Sequence, residues 1–167
     1  MQKIAKFHKV SLSQFQRDWE ETFGPDADIL SIYESILMPK RATSGSAGYD
    51  FYAPKTIHLS AGESIKIPTG IRAEIREGWV LMCFPRSGLG FKYRMQLDNT
   101  VGIIDSDYFN AENEGHIMIK ITNDSKEGKT LVVEQGKGFS QGILMAFGIT
   151  EDDDSNEIRK GGFGSTN

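Results

Sequence analysis

The sequence predicts an all-β domain, a barrel or sandwich, with a short helical segment ahead of it. Three observations carry that expectation. From Ala47 onward, short strand-like runs alternate with regular turn punctuation. Residues 1–38 instead place apolar side chains at helical spacing. At 167 residues, 38% of them hydrophobic, the chain is long enough for one domain with a real core.

Taken in order, Ser11-Leu12-Ser13-Gln14 reads as a capping box. Leu12, Phe15, Trp19 and Phe23 follow at spacings of three and four, which makes one helical face strongly apolar. Gly24-Pro25 ends that helix. Asp28 caps a second helix, with Ile29, Ile32, Tyr33 and Ile36 on one face and Pro39 at its end. Aromatics on two short helices must be covered, and packing on the chain's own β-domain is preferred to a partner surface. Strands are expected at 47–53, 56–59, 63–67, 71–75 and 79–84, then at 116–122, 130–134 and 139–147. Ala61-Gly62, Pro68, Glu77-Gly78, Asn123-Asp124, Glu127-Gly128 and Gln135-Gly136 separate them. The expected organisation is a helical N-terminal extension over 1–38, a β-domain over 39–150 and a C-terminal arm over 151–167.

The net charge of −4 and sequence pI of about 5.4 argue against a general nucleic-acid surface, which would be basic. A polyphosphate ligand would need a local basic pocket. Cys83, the single cysteine, lies in an apolar run and reads as a buried thiol. One cysteine excludes an intrachain disulfide and fits a reducing, cytoplasmic setting. No signal peptide and no membrane-length apolar run are expected from the sequence. The stretch from Glu151 to Glu157 is acidic and polar, and reads as solvated and mobile. The cations, the lone aromatic and the hydroxyls beyond it form either a frayed tail or a lid that stacks on a flat base and grips phosphate.

Two stretches carry candidate chemistry. Asn99 to Tyr108 reads as a β-hairpin, with Gly102 where the backbone bends or lies bare enough to approach a flat ligand. Asp105 follows Ile103 and Ile104, and apolar neighbours would limit its solvation and leave it usable as a base. Taken alone, however, Asp-Ser-Asp favours a plain turn. Pro85-Arg86-Ser87-Gly88-Leu89-Gly90 supplies a cation, a hydroxyl and bare N–H groups, a plausible phosphate cradle. Gly128-Lys129-Thr130 looks like the end of a P-loop, but Asn123 stands where its first glycine belongs and a strand follows. His8, His58 and His116 show no metal-ligand spacing among themselves or with Cys83.

Five pieces in order resemble the motifs of the trimeric dUTP diphosphatase (dUTPase) family. They are Ala47-Gly48-Tyr49-Asp50-Phe51, Pro85 to Gly90, Asn99 to Tyr108, Gly136-Lys137-Gly138-Phe139-Ser140-Gln141-Gly142, and Arg159 to Thr166. The fourth departs from the common Gly-Asp-Arg-Ile-Ala-Gln form, with Lys137 and Gly138 replacing Asp and Arg. Ala111 to Gly115 lengthen the third, and residues 1–38 fall outside the pattern.

The resemblance implies a dUTPase-like β-barrel or jelly roll, assembled as a homotrimer with active sites between subunits. It implies hydrolysis of dUTP to dUMP and diphosphate with Mg²⁺ on the triphosphate. Asp105 matches the water-activating carboxylate, and Asp50 the residue that holds the metal through water. Arg86, Ser87, Gly88 and Gln141 match phosphate donors. Asn99, Gly102 and Ile104 match the uracil-binding stretch, and Tyr108 the floor under the deoxyribose. Phe163 matches a lid that stacks on the base, and Arg159, Gly164, Ser165 and Thr166 belong to the same arm, with a grip on the γ-phosphate. Two rivals remain at this point. A dCTP deaminase of the same fold would need a glutamate where Lys120 stands. A partner-binding module would use the N-terminal helices.

Overall fold

The computed structural model describes residues 1–157, Arg159 and Gly161. Twelve strands form four antiparallel sheets, among the described residues. In chain order they are β1 (Ala5–Lys9), β2 (Lys40–Arg41), β3 (Tyr49–Tyr52), β4 (Ile57–Leu59), β5 (Ser64–Pro68) and β6 (Ile71–Ile75). Then come β7 (Trp79–Pro85), β8 (Met95–Leu97), β9 (Gly102–Ile104), β10 (Met118–Asn123), β11 (Leu131–Val133) and β12 (Gly138–Ala146). The largest sheet runs β2-β3-β12-β7-β9, and the others are β5-β10-β8, β1-β6 and β11-β4. Alternation along the strands turns Phe51, Ile67, Leu81, Ile104, Ile121, Leu131 and Phe139 into one shared core. The architecture is the all-β one that the punctuation predicted.

The N-terminal segment belongs to that core. Helix α1 (Leu12–Phe23) seals both Phe15 and Trp19 completely from solvent, against the sheets. Ser11 caps it, its hydroxyl accepting the Gln14 N–H at 3.1 Å. The reciprocal half of the expected box is absent: Gln14 reaches Asp18 instead, and the Ser11 N–H goes to Glu114 at 2.7 Å. Helix α2 (Ile29–Ser35) stops four residues short of Pro39, and Asp28 makes no side-chain cap. Strand β1 was not expected. Its residues alternate in polarity only from Ala5 to His8, too short a run to call a strand, and it forms because β6 offers an antiparallel edge, with Ala5 opposite Ile75 and Lys9 opposite Ile71.

Two further expectations change. The stretch 99–108 is not a hairpin, because β8 pairs with β10 while β9 pairs with β7, so the chain switches sheets there. The bend falls at Thr100, whose φ of 66° is left-handed, and not at Gly102. At the expected cradle Pro85–Gly90, Ser87 opens helix α3 (Ser87–Tyr93) just after β7.

Candidate active site

The sheet β2-β3-β12-β7-β9 carries two groups of the expected residues at different places. In the first group, Asp50 on β3 lies opposite Gln141 on β12, which lies opposite Phe84 on β7. Arg86, at the end of β7, returns across this row and its Nε sits 3.2 Å from Asp50 Oδ1. Its Nη1 donates to the Gly138 carbonyl at 3.3 Å. A Cβ on Gly138 would meet Arg86 Nη1 at 2.8 Å. The glycine in the altered fourth motif thus makes room for Arg86, the arginine of the second. Gln141 donates to the Pro85 carbonyl at 3.2 Å, beside the start of α3. There the first-turn N–H groups, those of Ser87 and Gly88 among them, have no partner within the helix.

The second group lies at the β9 edge. Gly102 is buried opposite Cys83, and a Cβ there would stand 3.1 Å from the Cys83 Cβ and 3.7 Å from the Asn99 amide nitrogen. A side chain there would press on Cys83 by a few tenths of an ångström. Asn99, Gly102 and Ile104 border a small, shallow hollow, with Met118 on its rim. Ile104 itself points into the core. The chain then enters the short 3-10 turn η1 (Ser106–Asn110).

Asp105 stands at the entry to η1 and makes no side-chain cap, which removes the plain-turn role for its carboxylate. Nor is it shielded by Ile103 and Ile104: its side chain is 45% exposed. The strand alternation decides this, since Ile104 turns inward and Ile103 outward. What holds Asp105 is Arg159, with Nη2 at 2.6 Å from Asp105 Oδ2 and Nε at 2.9 Å from Asp107 Oδ1. The same guanidinium lies 5.7 Å from the centre of the Tyr108 ring. Phe163, Gly164, Ser165 and Thr166 lie outside the described residues.

Tyr108 is buried, its hydroxyl donating to the His116 carbonyl at 2.7 Å and accepting from Asn113 at 2.8 Å. Burial pushes its phenol up to about 12, so it is a donor at any working pH. Burial likewise pushes the Cys83 thiol up to about 12, consistent with an inert packing role. Sequence reasoning read His116 as a structural or surface histidine and missed that it and Asn113 are neighbours of Tyr108. Lys120, which stands where a deaminase would need glutamate, pairs with Asp98 at 2.9 Å.

Among the described residues, no three His, Cys, Asp or Glu side chains converge as a metal cage, and no helix is long and apolar enough to cross a membrane. Carboxylate–arginine pairs beside helix N–H groups suit phosphates, and a backbone hollow kept open by glycine suits a flat ring. That is the build of a nucleotide hydrolase on a jelly-roll scaffold.

Comparison with known proteins narrows the class. The dUTPase family profile matches residues 34–167. The chain is 42% identical over 134 residues to the deoxyuridine 5′-triphosphate nucleotidohydrolase of Lactococcus lactis, covering 78% of this chain and 88% of that protein. The crystal structure of dUTPase from Streptococcus mutans superposes with a TM-score of 0.65 at 34% identity, over 87% of this chain and 98% of that one. A phage phi11 dUTPase mutant from S. aureus, described with a structural Mg(II) ion, superposes at 0.64 with 19% identity, over 93% and 99%, a likeness of fold alone. The chain belongs to the dUTPase family. Its reaction is the hydrolysis of dUTP to dUMP and diphosphate.

Proposed function

We propose that this hydrolysis proceeds by in-line attack of water on the α-phosphorus, in sites shared between the subunits of a homotrimer, with Mg²⁺ on the triphosphate. One observation carries the shared site. Asp50 lies on β3 and Asp105 just beyond β9, three strand spacings apart, roughly 14 Å. Along the strands, the row of Asp50 and Gln141 is three residues from the row of Leu144, Leu81 and Ile104, about 10 Å more. A carboxylate that holds a metal's water shell and one that holds the attacking water must both reach one triphosphate. Within a single chain the register keeps them apart, so the reading takes Asp50 from one subunit and Asp105 from another.

In this reading Asp105 holds the water and takes its proton as the oxygen–phosphorus bond forms. The bond from the α-phosphorus to the bridging oxygen breaks, and diphosphate leaves. Most of the catalysis is positioning and charge neutralisation. Mg²⁺, when bound, would offset charge on the phosphates. Asp50 fits the role of holding its water shell: Arg86 Nε occupies Oδ1 and orients the carboxylate. Arg86, Ser87, Gly88 and Gln141 donate to the phosphates. Uracil pairs with backbone around Gly102 and Ile104, helped by Asn99. In this reading the approach of the backbone to the base excludes the thymine methyl, and cytosine presents donor and acceptor reversed. Tyr108 lies under the deoxyribose. Arg159 exchanges Asp105 and Asp107 for the γ-phosphate, and Phe163, Gly164, Ser165 and Thr166 close the site. The 1–38, 39–150 and 151–167 division, and a reducing, cytoplasmic setting for the free Cys83 thiol, are part of the same reading.

The test is diphosphate release from dUTP, dCTP, dTTP and UTP, with and without Mg²⁺, alongside sedimentation. Turnover restricted to dUTP, dependent on the metal, in a trimer is expected. Equal turnover of dTTP would overturn the uracil hollow, and a fully active monomer the shared site.

A further inference from the structure

Residues 1–33 lie ahead of the part that the family profile matches, yet they grip the turn that carries Tyr108. The grip has three points. In β1, the His8 ring packs 5.5 Å from Phe109 of η1. At the start of α1, Glu114 accepts the Ser11 N–H at 2.7 Å and the Ser11 hydroxyl at 2.6 Å. Farther along α1, Asp18 is hydrogen-bonded to Nδ1 of His116, whose ring is fully buried. The tautomer follows from the other nitrogen: His116 Nε2 accepts the Gly70 N–H at 2.8 Å, so Nδ1 carries the proton and donates to Asp18. His116 then accepts the Tyr108 hydroxyl on its own carbonyl.

The loop Ala111 to Gly115, which lengthens the third motif, is therefore the piece between two attachments. On one side the N-terminal segment holds it, and on the other it holds Tyr108 through Asn113, while His116 just beyond it accepts the Tyr108 hydroxyl. Docking α1 did not require this. Phe15 and Trp19 already anchor the helix by apolar burial, which is non-directional. A carboxylate–imidazole contact at a buried site adds direction instead, since it is satisfied at one geometry only. Gln14 donates to Asp18 at 2.8 Å and holds it from its own helix.

We propose that Asp18 is a positioning residue for the reaction: through His116 it fixes where the Tyr108 ring lies, and thereby how strictly the site rejects a 2′-hydroxyl. The proposal rests on the reading of Tyr108 as the floor under the deoxyribose. It gives the N-terminal segment a part in substrate choice.

The experiment measures kcat and KM for dUTP and UTP on full-length chains. Asp18→Ala leaves the His116 N–H without its acceptor, and the preference for dUTP over UTP in kcat/KM should fall at least fivefold. Asp18→Asn keeps an acceptor and should restore most of the preference. Thr22→Val removes a different bond of the same helix, from the Thr22 hydroxyl to the Lys66 carbonyl at 2.9 Å, and should leave the preference unchanged. A folded Asp18→Ala chain with wild-type preference overturns the proposal, and so does an equal loss in Thr22→Val. Should Asp18→Ala fail to fold, Glu114→Ala decides: a larger loss of preference than in Thr22→Val supports the link, and no larger loss overturns it. Unchanged preference in Tyr108→Ala would instead overturn the reading of Tyr108 on which the link depends.

Discussion

The two carboxylate–arginine pairs of this chain look alike in composition and differ in how they are held. Asp50 sits on an interior strand with its side chain 16% exposed, and its arginine comes from the end of β7, two strands across the same sheet. Asp105 stands beyond an edge strand at 45% exposure, and its arginine comes from 54 residues further along the chain. A carboxylate fixed by sheet register suits a static task such as orienting a metal's water shell. One held at the mouth of a short turn by a late, exchangeable partner suits a task that begins when substrate arrives. Arg159 occupies one oxygen of the Asp105 carboxylate, and a triphosphate offers the guanidinium a stronger partner.

The largest effect expected from breaking this comparison is at Asp105. Asp105→Asn keeps the shape and removes the base, so turnover should fall by about two to four orders of magnitude while dUTP still binds. Single-turnover kinetics with a nucleotide-binding titration checks both halves, and near-normal turnover would return Asp105 to a structural role. Asp50→Asn should cost less, about 10- to 100-fold, with a raised Mg²⁺ requirement, as for groups that act through a metal's outer contacts. The two losses can be set against each other. If each site takes Asp50 and Asp105 from different subunits, every trimer mixed from the two variants regains one intact site. An equal mixture after subunit exchange should then recover roughly a quarter of wild-type activity. No recovery in confirmed mixed trimers would place both carboxylates in one subunit.

A smaller effect is expected from Gly138→Ala. The new methyl carbon would stand 2.8 Å from Arg86 Nη1 and 3.2 Å from its Cδ, so the arginine must swing away from Asp50. The side chain is long and partly exposed, so the cost is up to about 1 kcal/mol, or about fivefold in the KM for Mg²⁺-dUTP. An unchanged Mg²⁺ titration would show that Arg86 does not orient Asp50.

The smallest effect is one of pH, and it belongs to the η1 side. Burial would raise the Asp18 carboxyl, but hydrogen bonds from His116 and Gln14 and the nearby Lys66 charge outweigh it and hold the group below its usual range. Burial likewise opposes the Glu114 shift, and hydrogen bonds from Ser11 win there too, leaving that carboxyl lowered. A lowered folded-state value means that both contributions are complete above the ordinary carboxylate range, near about pH 4, and are lost as pH falls through the lower folded values. The melting temperature should therefore drop below about pH 4, and less steeply in an Asp18→Asn, Glu114→Gln chain. Parallel curves for the two chains would mean that neither carboxylate stabilises the docked helix.

Much of this was legible residue by residue. The spacing of Phe15 and Trp19 is a local signal, because a helical turn fixes which side chains share a face whatever lies opposite. Strand positions were legible for the same reason: a period of two and a turn residue every few positions depend on neighbours in sequence. The order of the five motifs was enough to recognise the family. Gly102 was singled out for a bend or for a bare backbone beside a flat ligand; the bend belongs to Thr100, and the structure adds a close approach to Cys83 that the sequence did not suggest.

Only the tertiary structure decided which segments meet. Strand β1 exists because β6 lies beside it, 66 residues away in sequence at His8 and Glu74. The apparent hairpin splits because β10 and β7 compete for its two arms. Gly138 makes sense only once Arg86 fills the space above it, and Asp18 only once His116 is found buried against it. Local periodicity is written into consecutive residues by the geometry of helix and strand. Pairing between distant segments depends on the whole packing, and no single stretch of the chain carries it.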